Sequence, residues 1–456
     1  MTNPASIADT PHNTYADLSS DTALEHHLND IDDLNYATLT EALEQTVFEN
    51  FDDGLYIGMM SGTSLDGMDA VLCQFSDSAS QEADTQQPMR LLTTYSQNFP
   101  PRLREVLLAL CQPNGVNQLV AKADEPSSEL DWFGWASREY AEFASDVVNT
   151  LLKKAKTDPE AVLAIGCHGQ TVRHRPQMGF SLQLVDPNII AERTGISVVS
   201  DFRRRDMAVG GQGAPLVPAF HQALFGASDN TRVLLNLGGI ANITVLPALS
   251  AHTANQEPSQ NVVGYDTGPA NLLLDAWTAL HTDKDYDASG AWAQSGQIVE
   301  PLLKQFLDHP FFARSYPKST GREDFNLEWL QDELQKFDQA SVHVRYSSAD
   351  VQATLTELTA ISASAQIKQF LDEDGQDGAI YVCGGGALND YLIKRLQANL
   401  PHCTVETTTR LGLNPTWVEA VAFAWLARQT LMGETGNLPA VTGANKGVVL
   451  GQVCFA

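Results

Sequence analysis

The chain has 456 residues, 43% of them hydrophobic, which is enough for two or three buried cores rather than one. Its formal charge of -28 repels phosphate backbones and anionic lipid over most of the surface, and no run of about 18 apolar residues marks a membrane span. Nucleic acid and membrane are thereby excluded as expected partners, and six scattered cysteines without a C-x-x-C pair argue against a zinc site or disulfide framework.

Residues 1–53 contain no Lys or Arg and read as a mobile acidic extension, with one short helix expected over Thr38–Phe48 and a solvated His26-His27 pair. No basic segment precedes an apolar core there, so no secretory signal is expected; with the thiols, this fits a cytoplasmic location. Ordered structure is expected from Gly54. "LYIGMM" and "DAVLCQF" read as strands joined by the turn "GMMSGTSLDGMD", and "RLLTTYSQNF" reads as a third strand. Helical periodicity follows in "PRLREVLLALC" and in "LDWFGWASREYAEFASDVVNTLLKKA". Next come strands in "AVLAIGCHG" and "FSLQLVD", a helix "PNIIAERTG" opened by Pro and closed by Gly, and the strand "ISVVSDF".

The second half repeats this order: strands "RVLLNLGG", "ITVLPAL" and "VVGYD", a helix "PANLLLDAWTAL", a long helical region, then strand "AIYVCGGG" and helix "LNDYLIKRLQANL". No sequence identity joins the halves, so the repeat is one of architecture. The expected fold class is α/β, with one lobe over 54–228, a second over 229–456, and a cleft between them; the last segment, "GVVLGQVCF", fits either lobe.

Three glycine turns each follow an apolar strand: Gly58 to Gly67, Gly238-Gly239, and Gly384-Gly385-Gly386. Such turns let backbone N–H groups approach an anion. None carries the Gly-Lys-Ser/Thr of a P-loop or opens a helix as G-x-G-x-x-G, which disfavours P-loop kinases and Rossmann dehydrogenases. What remains is the actin, hexokinase and Hsp70 type of nucleotide cleft.

Eight blocks in order, "GMMSGTSLDGMD", "GCHGQT", "SDFRRRDMAVGGQGAPLVPAFH", "LLNLGGIANIT", "GYDTGPAN", "KSTGREDFN", "VCGGGALN" and "NPTWVEAVAFAWLA", resemble the anhydro-N-acetylmuramic acid kinase family from Gly54 onward. The resemblance implies two actin-like (ribonuclease H-like) lobes, ATP and Mg2+, a homodimer, and a sugar substrate whose 1,6-anhydro bridge is opened by water while O6 is phosphorylated. It implies ATP contacts at Gly62, Thr63, Ser64, Leu65, Asp66, Gly67, Met68 and Asp69, and at the other two glycine turns. Met60 stands where the superfamily's first hairpin usually has Asp, which leaves Asp66 or Asp69 as the magnesium-linked group.

Spacing alone makes Asp266 a helix cap before Pro269, and Glu419 a first-turn carboxylate favoured by the helix dipole. The resemblance makes Asp266 the catalytic base and Glu419 a second acid at the sugar. It likewise turns His168, Gln170 and Gln212, structural residues by position alone, into contacts to the sugar. Arg203, Arg204 and Arg205 form a basic spot suited to a carboxylate or phosphate, with no preference among them.

Overall fold

Strands β1 (Gly54–Met60) and β2 (Gly67–Phe75) form the expected hairpin, in register from Gly54↔Phe75 to Met60↔Asp69, and β3 (Met89–Asn98) extends the antiparallel meander. Helices α1 (Pro101–Leu110) and α2 (Glu129–Ala155) then cross to β4 (Val162–Cys167), which lies parallel to β1. After a small hairpin of β5 (Gln170–Arg175) and β6 (Phe180–Leu184), helix α3 (Pro187–Thr194) leads to β7 (Val198–Ser200), parallel to β4. The expected punctuation of α3 is present: Asp186 caps Asn188 N–H, Pro187 opens the helix, and Gly195 ends it at φ +68°.

Helices α4 (Phe202–Ala208) and α5 (Val217–Phe225) precede a second meander, β8 (Thr231–Leu237), β9 (Ile240–Leu246) and β10 (Val263–Pro269). Helices α6 (Asn271–His281), α7 (Glu300–Leu307), α8 (Leu327–Ala340) and α9 (Ser348–Ile367) lead to β11 (Gly378–Cys383), parallel to β8. Helix α10 (Asp390–Asn399) crosses to β12 (Thr404–Thr407), and α11 (Val418–Leu431) and β13 (Gln452–Cys454) complete the chain. This computed structural model describes residues 53–62, 65–76, 89–120, 125–227, 230–248, 262–371 and 378–456. The expected helix over Thr38–Phe48, the His26-His27 pair, Thr63 and Ser64 lie outside them.

The sheets run β13-β7-β4-β1-β2-β3 and β10-β9-β8-β11-β12. Without β13, each is a three-stranded meander whose first strand pairs parallel with a strand reached through helices, itself followed by another parallel strand. The repeat expected from segment order is therefore a repeat of topology, the paired α/β lobes of the expected actin-like fold. The physics is common to both: a meander needs only turns, whereas each parallel partner needs a crossover. Two short strands, β5 and β12, escaped the sequence reading because "QTVRHR" and "TVET" lack an apolar run. The final segment, which fits either lobe by composition, joins the first sheet through β13 against β7.

Two cores flank the sheets on their outer sides. Ile57, Met59, Leu72 and Ile165 pack against α1–α3, and Val233, Leu235 and Ile380 pack against α9 and α10. A third core is shared: Tyr56 and Val71 of the first sheet, Leu234 and Tyr381 of the second, and residues of α5 and α11 form one buried cluster. Helix α11 lies directly on the first sheet because Gly58 and Gly166, paired across β1 and β4, present no side chain to it. A Cβ on Gly58 would stand 1.9 Å from Ala420 O, and one on Gly166 2.0 Å from Phe423 O. That approach fixes the depth of α11, and with it Glu419.

Candidate active site

Asp266 does not cap a helix. Strand β10 continues through Pro269, with a register shift between Asp266 and Gly268, and α6 starts only at Asn271. Gly268, at φ +152°, permits the irregularity, because an L residue rarely adopts that conformation and a Cβ there would stand 2.9 Å from the Phe312 ring. The loop that follows α7 runs alongside: Asp266 N–H donates to Lys318 O at 3.2 Å, and Thr320 N–H donates to Asp266 Oδ2 at 3.0 Å. Burial pushes the Asp266 carboxyl up to about 7, and the charge of Glu323 adds to the rise, against the lowering effect of the Thr320 N–H. A carboxyl near neutrality, oriented by one backbone donor, is suited to taking a proton.

On the second sheet Asp266 pairs across to Asn242, Asn242 to Asn236, and Asn236 to Cys383. Cross-strand partners point to the same face, so Asp266, Asn242 and Asn236 form a row. Asn236 Nδ2 donates to Glu419 Oε1 at 3.3 Å, which joins the row to the first turn of α11. From two strand spacings of about 4.8 Å, Asp266 lies about 10 Å from the position of Asn236. Burial raises the Glu419 carboxyl, and nearby Asp69 adds to the rise, while Arg203 and the Asn236 amide oppose it. The alternation in "LLNL" and "ANIT" is the signal for the two asparagines that sequence reasoning missed: a polar residue interrupts an apolar strand on its cleft-facing side.

Of the three arginines, the structure singles out Arg203. Arg204 and Arg205 are exposed on α4, and Arg204 is paired with Asp201. Arg203 donates from Nη1 to Gly213 O at 2.8 Å and from Nε and Nη2 to His168 Nε2 at 3.3 and 2.8 Å. Burial lowers its guanidinium to about 10, while the Glu419 and Asp206 carboxylates hold the charge in place. No direct ion pair joins Arg203 to Glu419 among the described residues; they face each other through space.

His168 and Gln170 both engage protein groups. His168 is 3% exposed, and its ring centroid lies 4.6 Å from that of Phe423 on α11. Burial and the Arg203 charge hold the imidazole well below the ordinary histidine range, hence neutral. Gln170 Nε2 reaches back to Gly62 O at 3.5 Å, against the first glycine turn. Gln212 is exposed, in a turn held by its own N–H to Thr442 O at 2.9 Å. Beneath it, Asp206 is fully buried and accepts from Gly213 N–H at 2.8 Å, Asn437 Nδ2 at 2.6 Å and Thr442 Oγ1 at 2.7 Å. Sequence reasoning did not single out this carboxylate. Neighbouring Cys167 is buried, and burial pushes its thiol up to about 12, which fits an inert group.

The glycine turns divide their work. In the first, Leu65 takes φ +59° and its N–H donates to Gly62 O at 3.3 Å; Gly62, Gly67 and Met68 are placed at this β1–β2 connection. Asp66 is exposed and pairs with Arg104 at 3.2 Å, within electrostatic reach of Asp275 on α6 and of Arg322, whereas Asp69 sits on β2 beside Ser96, within electrostatic reach of Glu419. At the second, the carbonyls of Gly238 and Gly239 accept the first N–H groups of α6 from Asn271, at 3.0 Å, and Leu272, at 3.1 Å. At the third, Gly384 N–H is spent on Pro415 O at 2.9 Å, so this glycine contributes its φ of +79° and not a donor. A Cβ there would stand 2.4 Å from Asn236 Oδ1. Gly385 and Gly386 follow in a short 3-10 turn against Asn271.

A model of the anhydro-N-acetylmuramic acid kinase family matches residues 54–456. A Psychrobacter arcticus protein named anhydro-N-acetylmuramic acid kinase is 80% identical, over 93% of this chain and 100% of the relative. A protein of the same name from Saccharophagus degradans is 46% identical, over 88% of this chain and 98% of the relative. Among solved structures, a ROK family glucokinase from Streptomyces griseus in complex with glucose and AMPPNP aligns at TM-score 0.36 and 13% identity, covering 82% of this chain and 100% of that one.

Proposed function

The chain belongs to the anhydro-N-acetylmuramic acid kinase family, and from that premise we propose that Asp266 is its base and Glu419 its second acid. The activity is that of an ATP-dependent carbohydrate kinase: it opens 1,6-anhydro-N-acetylmuramic acid with water and phosphorylates O6, giving N-acetylmuramic acid 6-phosphate and ADP for cell-wall recycling.

The single observation that carries the residue assignment is the row Asp266, Asn242, Asn236 and its hydrogen bond to Glu419, which turns two carboxylates toward one space. In the proposed step, Asp266 takes a proton from water as the water oxygen bonds to C1. The C1–O6 bond breaks, and O6 takes the γ-phosphoryl as ADP leaves. Charge balances through the proton now on Asp266, and no covalent enzyme intermediate is required. The Thr320 N–H keeps Asp266 aimed and favours its ionised form. Glu419 orients the sugar or the water, with Arg203 opposite it and Gln212 at the rim.

The first glycine turn, including Thr63 and Ser64, and the turns at Gly238-Gly239 and Gly384-Gly386 hold ATP in this proposal. Magnesium is proposed to arrive with the nucleotide, since no cluster of three or more metal-binding side chains exists among the described residues. A single carboxylate plus phosphate oxygens is the usual magnesium environment, and the nearness of Asp69 to Glu419, with Asp66 already paired to Arg104, favours Asp69. When bound there, the ion would offset phosphate charge. A homodimer and a cytoplasmic location complete the proposal; no helix among the described residues is long and apolar enough to cross a membrane.

The test is ADP release with magnesium-ATP and 1,6-anhydro-N-acetylmuramic acid in oxygen-18 water, for the wild type and for Asp266→Asn. One sugar phosphate per ADP, labelled at C1 and lost in the variant, supports the assignment. Near-normal turnover by Asp266→Asn overturns it.

A further inference from the structure

His168 is expected at the sugar; its Nε2 is turned toward Arg203, while its buried Nδ1 has no hydrogen-bond partner among the described residues. A guanidinium can only donate. Two of its N–H groups, from Nε and Nη2 of Arg203, converge on His168 Nε2 at 3.3 and 2.8 Å. Nε2 must therefore carry a lone pair, and the neutral ring must bear its proton on Nδ1. The opposite constraint on the ring is steric: Phe423 packs on it at 4.6 Å between centroids, and Phe423 follows Glu419 by one turn of α11. Phe202 packs on Phe423 in turn, at 5.4 Å. The imidazole is thus clamped between α11 and Arg203, and a third Arg203 donor is tied to Gly213 O at 2.8 Å.

We propose that His168 is a positioning residue for the reaction, acting through Nε2 as the fixed hydrogen-bond acceptor that sets the plane of the Arg203 guanidinium opposite Glu419. The proposal rests on the reading of Glu419 and Arg203 as sugar-site groups. It explains why a histidine is placed where burial keeps it uncharged: a protonated ring would turn a donor toward an arginine. It also gives α11 two adjacent tasks on one face, Glu419 toward the substrate and Phe423 behind the acceptor that orders the arginine.

The test compares His168→Gln, whose amide oxygen can reach the place of Nε2, with His168→Phe, which keeps ring volume but offers no acceptor. With magnesium-ATP and the anhydro sugar, His168→Phe should lose about 100-fold in kcat/KM for the sugar, with KM for ATP within about 2-fold of wild type. His168→Gln should recover most of that loss. In an Arg203→Met background, His168→Phe should cost little more, because both changes remove one interaction. Equal losses in the Gln and Phe variants, or full additivity with Arg203→Met, overturn the proposal. Should the Phe variant not fold, nitrogen-15 spectra of histidine-labelled wild-type enzyme, assigned by difference with His168→Gln, still decide: an unprotonated Nε2 is expected, and a protonated Nε2 refutes it. The reading beneath it fails separately, if Glu419→Gln keeps full activity.

Discussion

Replacing Asp266 by Asn should abolish turnover and at the same time stabilise the protein, but only above a defined pH. The native carboxyl is raised from 3.8 to about 7 by burial, with Glu323 adding to the rise. The folded state therefore holds a proton through a window in which the unfolded chain has lost it. Stability falls as pH rises from about 4 to about 7, and the full cost of a buried carboxylate is present above 7. A shift of about three units corresponds to on the order of 4 kcal/mol. Asn carries no charge and can still accept from Thr320 N–H, so it escapes that cost. Thermal melts of wild type and Asp266→Asn should coincide near pH 4 and diverge by several degrees at pH 8, the variant higher. The kcat/KM of the wild type should fall about tenfold per unit below pH 7, as the base is protonated. An equal melting difference at pH 4 and pH 8, or a flat wild-type profile from pH 5 to 8, would refute this account of Asp266.

Glu419→Gln keeps the shape of the side chain and its hydrogen bond to Asn236; kcat should drop by about 10- to 100-fold in steady-state assays, with the melting temperature unchanged or raised, since burial already disfavours the charge. Gly58→Ala forces a methyl group against the Ala420 carbonyl, and backbone cannot yield as a side chain can; urea unfolding should show a loss above about 3 kcal/mol, or the protein should fail to accumulate. Asp206→Ala leaves the buried Gly213 N–H without this acceptor and the Asn437 amide and Thr442 hydroxyl with only 3.4 Å contacts to Lys446 O and Leu438 O, and should cost about 3 kcal/mol by the same measurement; a loss under 1 kcal/mol would show that the turn at 210–213 does not depend on it.

Element types and their order were legible because apolar runs, Pro starts and Gly stops are local signals. α3 shows this: "PNIIAERTG" contains its own cap, start and stop. Motif surroundings singled out Asp266 and Glu419 as candidates, though the strand extending past Asp266 was not legible, because Pro269 reads equally as a strand end and a helix start. What stayed hidden depends on distant pairs. Asn236 meets Glu419 across 183 residues, and Asp206 meets Thr442 across 236. The choice of Arg203 from a run of three needed the same information, since only the arrival of His168 and Gly213 distinguishes it from its exposed neighbours.

The first sheet takes its covering helix α11 and its edge strand β13 from the far end of the chain. A ribosome emits β1 to β7 early, yet the surface around Gly58 and Gly166 stays uncovered until residues 418–454 emerge. At ordinary synthesis rates that delay is roughly 10–50 s. Throughout it, Tyr56, Val71 and Ala164 lack their partners from α11. The nascent chain therefore carries one open apolar sheet face through about half of its translation, and a stop codon before α11 would leave that face bare on five of the sheet's six strands while the opposite face, packed by α1–α3, is already covered.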